Sequence, residues 1–433
     1  MKDRLAPSVG GASTDTHRPG LAAYAVLAGA TLTQIGASFA QQGLAILAFA
    51  MGAADHMGLV GTGILAAAVT LGMAVSMLPS GAAADRLGIS GTALVGGFGV
   101  AVLLWGVHLI VPGSVPLLVA SLAAVGVFTA LVPMSGSRAV ILAFPSHVRG
   151  IAMGIRQAGV TVGAALAAAV LPRLAGTWGL EGTLSGMGLP AFVFAAILAL
   201  ASWWALSRDG TDRGRAASRP AVGDLVRAMQ GAFPVAVVGG LLSAGQYVTL
   251  AYLIPFLHTG GESILVAGLV LSLIQVGGTV GRILFGAVSD KNGGERGVVV
   301  AWIAVLGCLG LIAVPVSVSL GAPQWLLDVL AVVLGFGIVG WNALCLTWGA
   351  ERADRQVQGT AMGMVGAVIF VGATVWPPVF GAVVAAFHSY EAAWVLIAFL
   401  YAVAAVLAFR LVMRARQDLV RGSVQLGVPP GAS

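Results

Sequence analysis

Charge is scarce in this chain. Of its 433 residues only 9% are Asp, Glu, Lys or Arg, against about 25% in a typical soluble domain. That is too little to clothe a water-facing surface. Cysteine is nearly missing too. Only Cys308 and Cys345 occur, both inside apolar stretches. They read as small core residues, so neither a disulfide framework nor a metal site is expected, and no cofactor is implied. Acids are absent where catalysis needs them. None of the sixteen Asp and Glu residues falls near the middle of an apolar run. A membrane-embedded enzyme needs His, Asp or Glu clustered at depth, so an enzyme is not expected. His108, alone in the third run, reads as a packed residue. Ten-residue segments of alternating polarity are also lacking, which excludes a membrane β-barrel.

What the chain does have is long apolar runs. Twelve can be marked, at about 21–47, 57–79, 90–111, 115–143, 150–172, 186–206, 231–257, 263–286, 297–318, 324–348, 358–386 and 390–412. Each meets the requirement of about 20 apolar residues for a spanning helix. The expected class is an all-α polytopic membrane protein. The first twenty residues are polar, so no cleavable signal peptide is expected and the first run serves as the insertion signal.

The net charge is +6, and its placement matters more than its size. With the N-terminus inside and the runs alternating in direction, eighteen of the 22 Lys and Arg fall on one side. Arg173 falls on the other. Arg138, Arg156 and Arg282 fall inside runs. This positive-inside bias places both termini in the cytoplasm of a multi-pass protein of the cell (inner or plasma) membrane. The basic balance therefore reports topology and membrane lipid headgroups, not nucleic acid.

The stretch "SRDGTDRGRAASRPAVGDLVRAMQ" separates six runs from six. It divides the chain into a cytoplasmic tail (1–20), an N-terminal bundle (21–206), a cytoplasmic linker (207–230), a C-terminal bundle (231–412) and a second tail (413–433). A short interfacial helix is expected over 224–230. The two bundles repeat. "GAAADRLGISG" from Gly81 matches "GAVSDKNGGER" from Gly286 at an offset of 205. "GIAMGIRQAGVTVGA" from Gly150 and "GTAMGMVGAVIFVGA" from Gly359 share eight of fifteen residues at an offset of 209. Parallel six-span repeats are a transporter design, with the substrate site between them near the bilayer midplane.

"GAAADRLG" resembles the loop signature of the major facilitator superfamily: glycine, acid and base, then glycine, between spans two and three. A second copy lies between spans eight and nine, where that family has one. "FPSHVRGIAMG" and "ERADRQVQGTAMG" fit the family's style as well. The resemblance covers essentially the whole chain. It implies twelve helices in two pseudo-symmetric six-helix bundles around a central cavity, alternating access and a monomer. Ile89, Ser90 and Gly91 stand where a basic pair is usual. The glycines permit a tight turn and close helix approach. The Asp85 carboxylate can meet helix N-terminal amides or a nearby arginine. Asp85, Arg86, Asp290 and Arg296 are accordingly read as gating residues.

An arginine near the bilayer centre costs about 2.5–3.5 kcal/mol on insertion scales. Arg138, Arg156 and Arg282 therefore need a reason. By the repeat they face Thr347, Val365 and Met77, so the fold itself demands no charge at those places. All three break the symmetry, as an asymmetric task such as holding a substrate requires. A guanidinium matches a carboxylate bidentately. Positive charge without internal acid points to an anionic substrate. The position of Arg282, four residues before Gly286, resembles that of an arginine in monocarboxylate carriers. Gln34, Gln157, Gln246, Tyr247, Gln275, Trp341 and Asn342 are the polar and aromatic residues expected to line the same site.

The expected function is secondary transport of a small organic anion, by proton symport or anion exchange. Proton-coupled efflux of a drug or metabolite is the alternative. Gly150, Gly159 and Gly163 keep the glycine spacing of exporters in the fifth span, but Ala164 replaces their proline. A non-transporting sensor of the same fold is a minor alternative.

Overall fold

The computed structural model describes residues 19–54, 59–107, 114–209 and 221–425. His108, residues 1–18, the linker core at 210–220 and the last eight residues lie outside the described set. The described chain is helical throughout: α1 (Leu21–Ala54), α2 (Leu59–Val107), α3 (Val115–Ala143), α4 (Ser146–Met187), α5 (Leu189–Asp209), α6 (Val222–Thr259), α7 (Ile264–Lys291), α8 (Arg296–Ser319), α9 (Gln324–Val339), α10 (Asn342–Glu351), α11 (Gln358–Phe387) and α12 (Tyr390–Gln425).

Among the described residues ten helical stretches are long and apolar enough to cross a membrane. Two of them are double. The stretch Ala67–Val107 runs 41 residues and Ser146–Ala205 runs 60. At 1.5 Å per residue each is well over the roughly 30 Å hydrocarbon core. The first folds back at Gly88, with φ 73°, inside the "DRLG" loop. The second breaks at Gly179, with φ 74°. Left-handed backbone of this kind is open chiefly to glycine. Ten stretches with two doubled give twelve crossings.

Packing follows the repeat. In the first half α1 packs against α4 and α5, and in the second α6 packs against α11 and α12. The third and sixth spans meet through α2 and α5, as the ninth and twelfth meet through α8 and α12. The halves join through two crossings, α2 with α11 and α4 with α7. Both are built on glycine. A Cβ on Gly359 would lie 2.6 Å from the Gly81 carbonyl, and one on Gly286 would fall on the carbonyl of Gly150. Neither crossing tolerates a side chain at these points, so the helix backbones meet directly.

Two local expectations change. The interfacial helix expected over 224–230 is not separate; it forms the first turns of α6 and is continuous with the seventh span. Asp224 there accepts from the Ala221 N–H at 3.2 Å, which caps the longer helix. The tenth span is split between α9 and α10, although the backbone at Gly340 and Trp341 stays in the α region. Two carbonyls at the split are taken by side chains. The Trp341 indole N–H donates to the Ile338 carbonyl at 2.7 Å. Arg282 Nε, from α7, donates to the Val339 carbonyl at 3.3 Å. Such insertions into a helix ladder bend the helix.

Candidate functional site

Two clusters at one end of the molecule lock the halves together, and they are related by the repeat. Asp85 reaches across to the start of α11. Its Oδ1 accepts from the Gly359 N–H at 2.9 Å. Its Oδ2 accepts from the Thr360 N–H at 2.6 Å and the Thr360 hydroxyl at 2.7 Å. Asp290 does the same to α4, accepting from Gly150 N–H at 2.9 Å and Ile151 N–H at 2.8 Å. Gly359 is the repeat partner of Gly150, and Asp290 of Asp85. Each half therefore supplies a carboxylate that accepts backbone amides of a helix of the other: in the first turn of α11, where the helix dipole favours an anion, and one turn into α4.

Each of these acids also has an arginine, but from different places. Arg138, from α3, pairs with Asp85, whose side chain is fully buried. Arg296, at the start of α8, pairs with Asp290 and donates to the Ser146 carbonyl at 2.8 Å. Glu351 extends the second cluster. It lies 3.0 Å from Arg149 of the first half and 3.4 Å from Arg296 of the second. Arg138 was expected with the substrate ligands; the structure places it on Asp85 instead. Its long side chain runs from span four toward the loop, shielding a buried carboxylate. Arg86 was expected in the latch, yet it is exposed and forms no described bond across the halves. Arg149, Thr360 and the latch role of Glu351 were missed. Their signal was present in "SHVRG", "ERADRQVQG" and the residue after Gly359.

A second constellation lies deeper, where α4 faces α1, α7 and α10. Arg156 is fully buried. Its Nη1 donates to Gln34 Oε1 of α1 at 2.6 Å and to the Pro133 carbonyl of α3 at 3.4 Å. Its Nη2 donates to Gln157 Oε1 at 2.9 Å. Its Nε is buried without a hydrogen-bond partner. Gln157 in turn donates from Nε2 to Asn342 Oδ1 of α10 at 2.7 Å. Arg282, 2% exposed, donates from Nη1 to the Gln157 carbonyl at 3.0 Å. The Thr161 and Thr279 hydroxyls meet at 2.7 Å between α4 and α7. Gln34 donates its own amide to Ser38 at 3.2 Å.

The electrostatics of this cluster are one-sided. Arg156 and Arg282 both donate to Gln157, one to its side-chain amide and the other to its backbone carbonyl. Every described acceptor on either guanidinium is neutral: an amide oxygen or a backbone carbonyl. Among the described residues neither forms an ion pair. Hydrogen bonds to neutral oxygens soften the cost of two buried cations but leave their charge uncancelled.

The remaining expected ligands divide. Tyr247 is half-buried and within electrostatic reach of Arg282. Gln246 is buried one residue away, with its Oε1 lacking a hydrogen-bond partner. Gln275 is half-buried on α7, one turn from Thr279, and its carbonyl accepts from that hydroxyl. Trp341 was expected to wall the site. It is instead wholly buried with its N–H committed to its own helix, so it serves the break in the tenth span. Among the described residues no group of His, Cys, Asp and Glu could hold a metal ion.

Known proteins share this architecture. The chain is 28% identical over 339 residues to an uncharacterized MFS-type transporter of Mycobacterium tuberculosis, found in strains CDC 1551 / Oshkosh and ATCC 25618 / H37Rv, a match spanning 77% of this chain and 73% of the relative. Its fold is similar to that of the proton:xylose symporter XylE bound to 6-bromo-6-deoxy-D-glucose (TM-score 0.73, 15% identity, 91% of this chain and 96% of that one). It is also similar to the E. coli fucose:proton symporter FucP (TM-score 0.67, 15% identity, 90% and 98%). Residues 20–377 match the sequence model of the Major Facilitator Superfamily. With twelve crossings, a repeated latch and that match over most of its length, this chain belongs to the major facilitator superfamily and is a membrane transporter of small solutes, not an enzyme.

Proposed function

We propose that the transported solute is a small organic anion, held through a carboxylate by Arg156 and Arg282. The observation that carries this reading is the pair of buried guanidiniums bonded only to neutral oxygens. An anion arriving between them supplies the missing charge, and charge-assisted bonds are about twice as strong as neutral ones. Asn342, Gln246, Tyr247 and Gln275 orient the rest of the ligand, while Gln34 and Gln157 hold the Arg156 guanidinium. Arg138, held by Asp85, belongs to the latch in this reading.

The latch end is the cytoplasmic one, on the strength of the positive-inside bias. The state described is then closed to the cytoplasm. Asp85 and Asp290 hold that closure by accepting amides of α11 and α4 across the interface, and transport proceeds as these bonds break and re-form. Among the described residues no acid pairs with Arg156 or Arg282, and exchange of one anion for another needs no proton carrier in the core.

The test is a thermal-shift screen of purified protein with lactate, benzoate, succinate, xylose and tetraphenylphosphonium, followed by flux in liposomes. Stabilisation and flux confined to carboxylates support the reading. Response to xylose or the cation alone overturns it. A neutral polyhydroxylated solute is the second reading. It is favoured by the density of amides around Arg156 and by the sugar symporters among the structural neighbours.

A further inference from the structure

Arg156 offers three nitrogens, and they are not equally engaged. Nη1 is held by Gln34, which Ser38 steadies from behind. Nη2 is held by Gln157. Nε is buried and has no hydrogen-bond partner. A guanidinium can grip a carboxylate along the edge formed by Nε and Nη2, two parallel N–H groups matching two oxygens. Along that edge Nε–H meets no acceptor, and the two N–H groups of Nη2 meet one, the neutral Gln157 amide. The opposite end of that amide reaches Asn342 on the other half of the molecule.

Resting on the anion reading above, we infer that the substrate carboxylate grips Arg156 by its Nε–Nη2 edge, displaces Gln157, and so breaks the Gln157–Asn342 bond between the halves. Gln157 is then a positioning residue that carries occupancy of the site to the interface. It stands in for substrate when the site is empty and ties α4 to α10 while it does so. Gln34 has a different job. It keeps Nη1 and fixes the guanidinium plane before and after binding. The Arg282 bond to the Gln157 carbonyl uses the backbone, so it survives the exchange.

The experiment uses full-length protein in nanodiscs with Cys308 and Cys345 replaced by alanine. Spin labels at Val170→Cys of α4 and Leu265→Cys of α7, both exposed, report the separation of the halves. Lactate and benzoate are the probes. Wild type is expected to change its label distance on adding either. Gln157→Leu and Asn342→Leu are each expected to show the liganded distance already when empty, with no further change on adding probe. Gln157→Leu, freed of the competing amide, is expected to bind about tenfold tighter, the equivalent of one hydrogen bond. Gln34→Leu is expected to bind more weakly and to keep the probe-dependent change. Asn342→Leu reaches the same tie from the other helix, so misfolding of one variant does not decide the matter. Empty variants indistinguishable from empty wild type overturn the inference. So does stabilisation of wild type by a probe with no change in distance. If none of lactate, benzoate and succinate stabilises wild type, the anion reading falls and this inference falls with it.

Discussion

Arg156 and Arg138 start from the same sequence-level puzzle and end in different places. Both sit about 9 Å from the same end of consecutive spans at 1.5 Å per residue. Arg138 turns back to Asp85, while Arg156 turns to Gln34 and Gln157. Replacing Arg156 with Gln removes the charge on which the anion reading rests. The expected outcome is a 10- to 150-fold loss of carboxylate affinity, the equivalent of a charge-assisted bond worth about 1.5–3 kcal/mol, read by calorimetric titration. Replacing Asp85 with Asn should leave Arg138 without its counter-charge and weaken closure at that end. Breaking a buried pair from one side costs about 3–5 kcal/mol. The double variant Asp85→Asn with Arg138→Gln is therefore expected to melt at a higher temperature than the single Asp85→Asn. Arg156 was legible because the repeat places Val365 opposite it, an internal control on what the fold requires. The Arg138 pairing was not legible. Fifty-three residues separate it from Asp85, and two acceptable partners, amides and arginine, were open to that acid. Trp341 misled for a related reason. An aromatic in a cavity-lining span looks the same in sequence whether its N–H faces a ligand or its own helix.

At the level of elements, the glycines decide how closely helices approach. Gly81 with Gly359, and Gly150 with Gly286, put backbone on backbone where the two halves meet. A valine at Gly286 would drive its side chain into the Gly150 carbonyl. Gly286→Val is therefore expected to hold the latch end open. The measurement is maleimide labelling of a cysteine placed at Met153, which is fully buried in the closed form. Faster labelling than in wild type is the expected result, and protection equal to wild type would show that the crossing can absorb the side chain. The twelve spans and the repeat offsets were readable because hydropathy and identity both recur along the chain. The split of the tenth span was not. It depends on Arg282 and Trp341 taking the Val339 and Ile338 carbonyls, and Arg282 lies on another helix.

For the whole molecule the decisive quantity is the charge left between the halves. Two cations without an acid resist being carried through an occluded state, because the cost of an uncompensated buried charge rises as water leaves. A bound anion relieves that cost. Uptake into liposomes is therefore expected to rise several-fold when the vesicles are preloaded with the same carboxylate. An imposed pH gradient without preloading should do little. Dependence on the pH gradient alone would instead indicate a proton-coupled cycle. The reciprocal carboxylates have a consequence for assembly as well. Alone, the second bundle presents α11 with the first-turn amides of Gly359 and Thr360 unanswered, and the first presents α4 without the acceptor that Asp290 gives Gly150 and Ile151. Each bundle carries the acid the other lacks. A chain severed within residues 210–220 and produced as two polypeptides should thus reunite in the membrane by mutual recognition, and that reunion should fail when Asp85 and Asp290 are both changed to alanine.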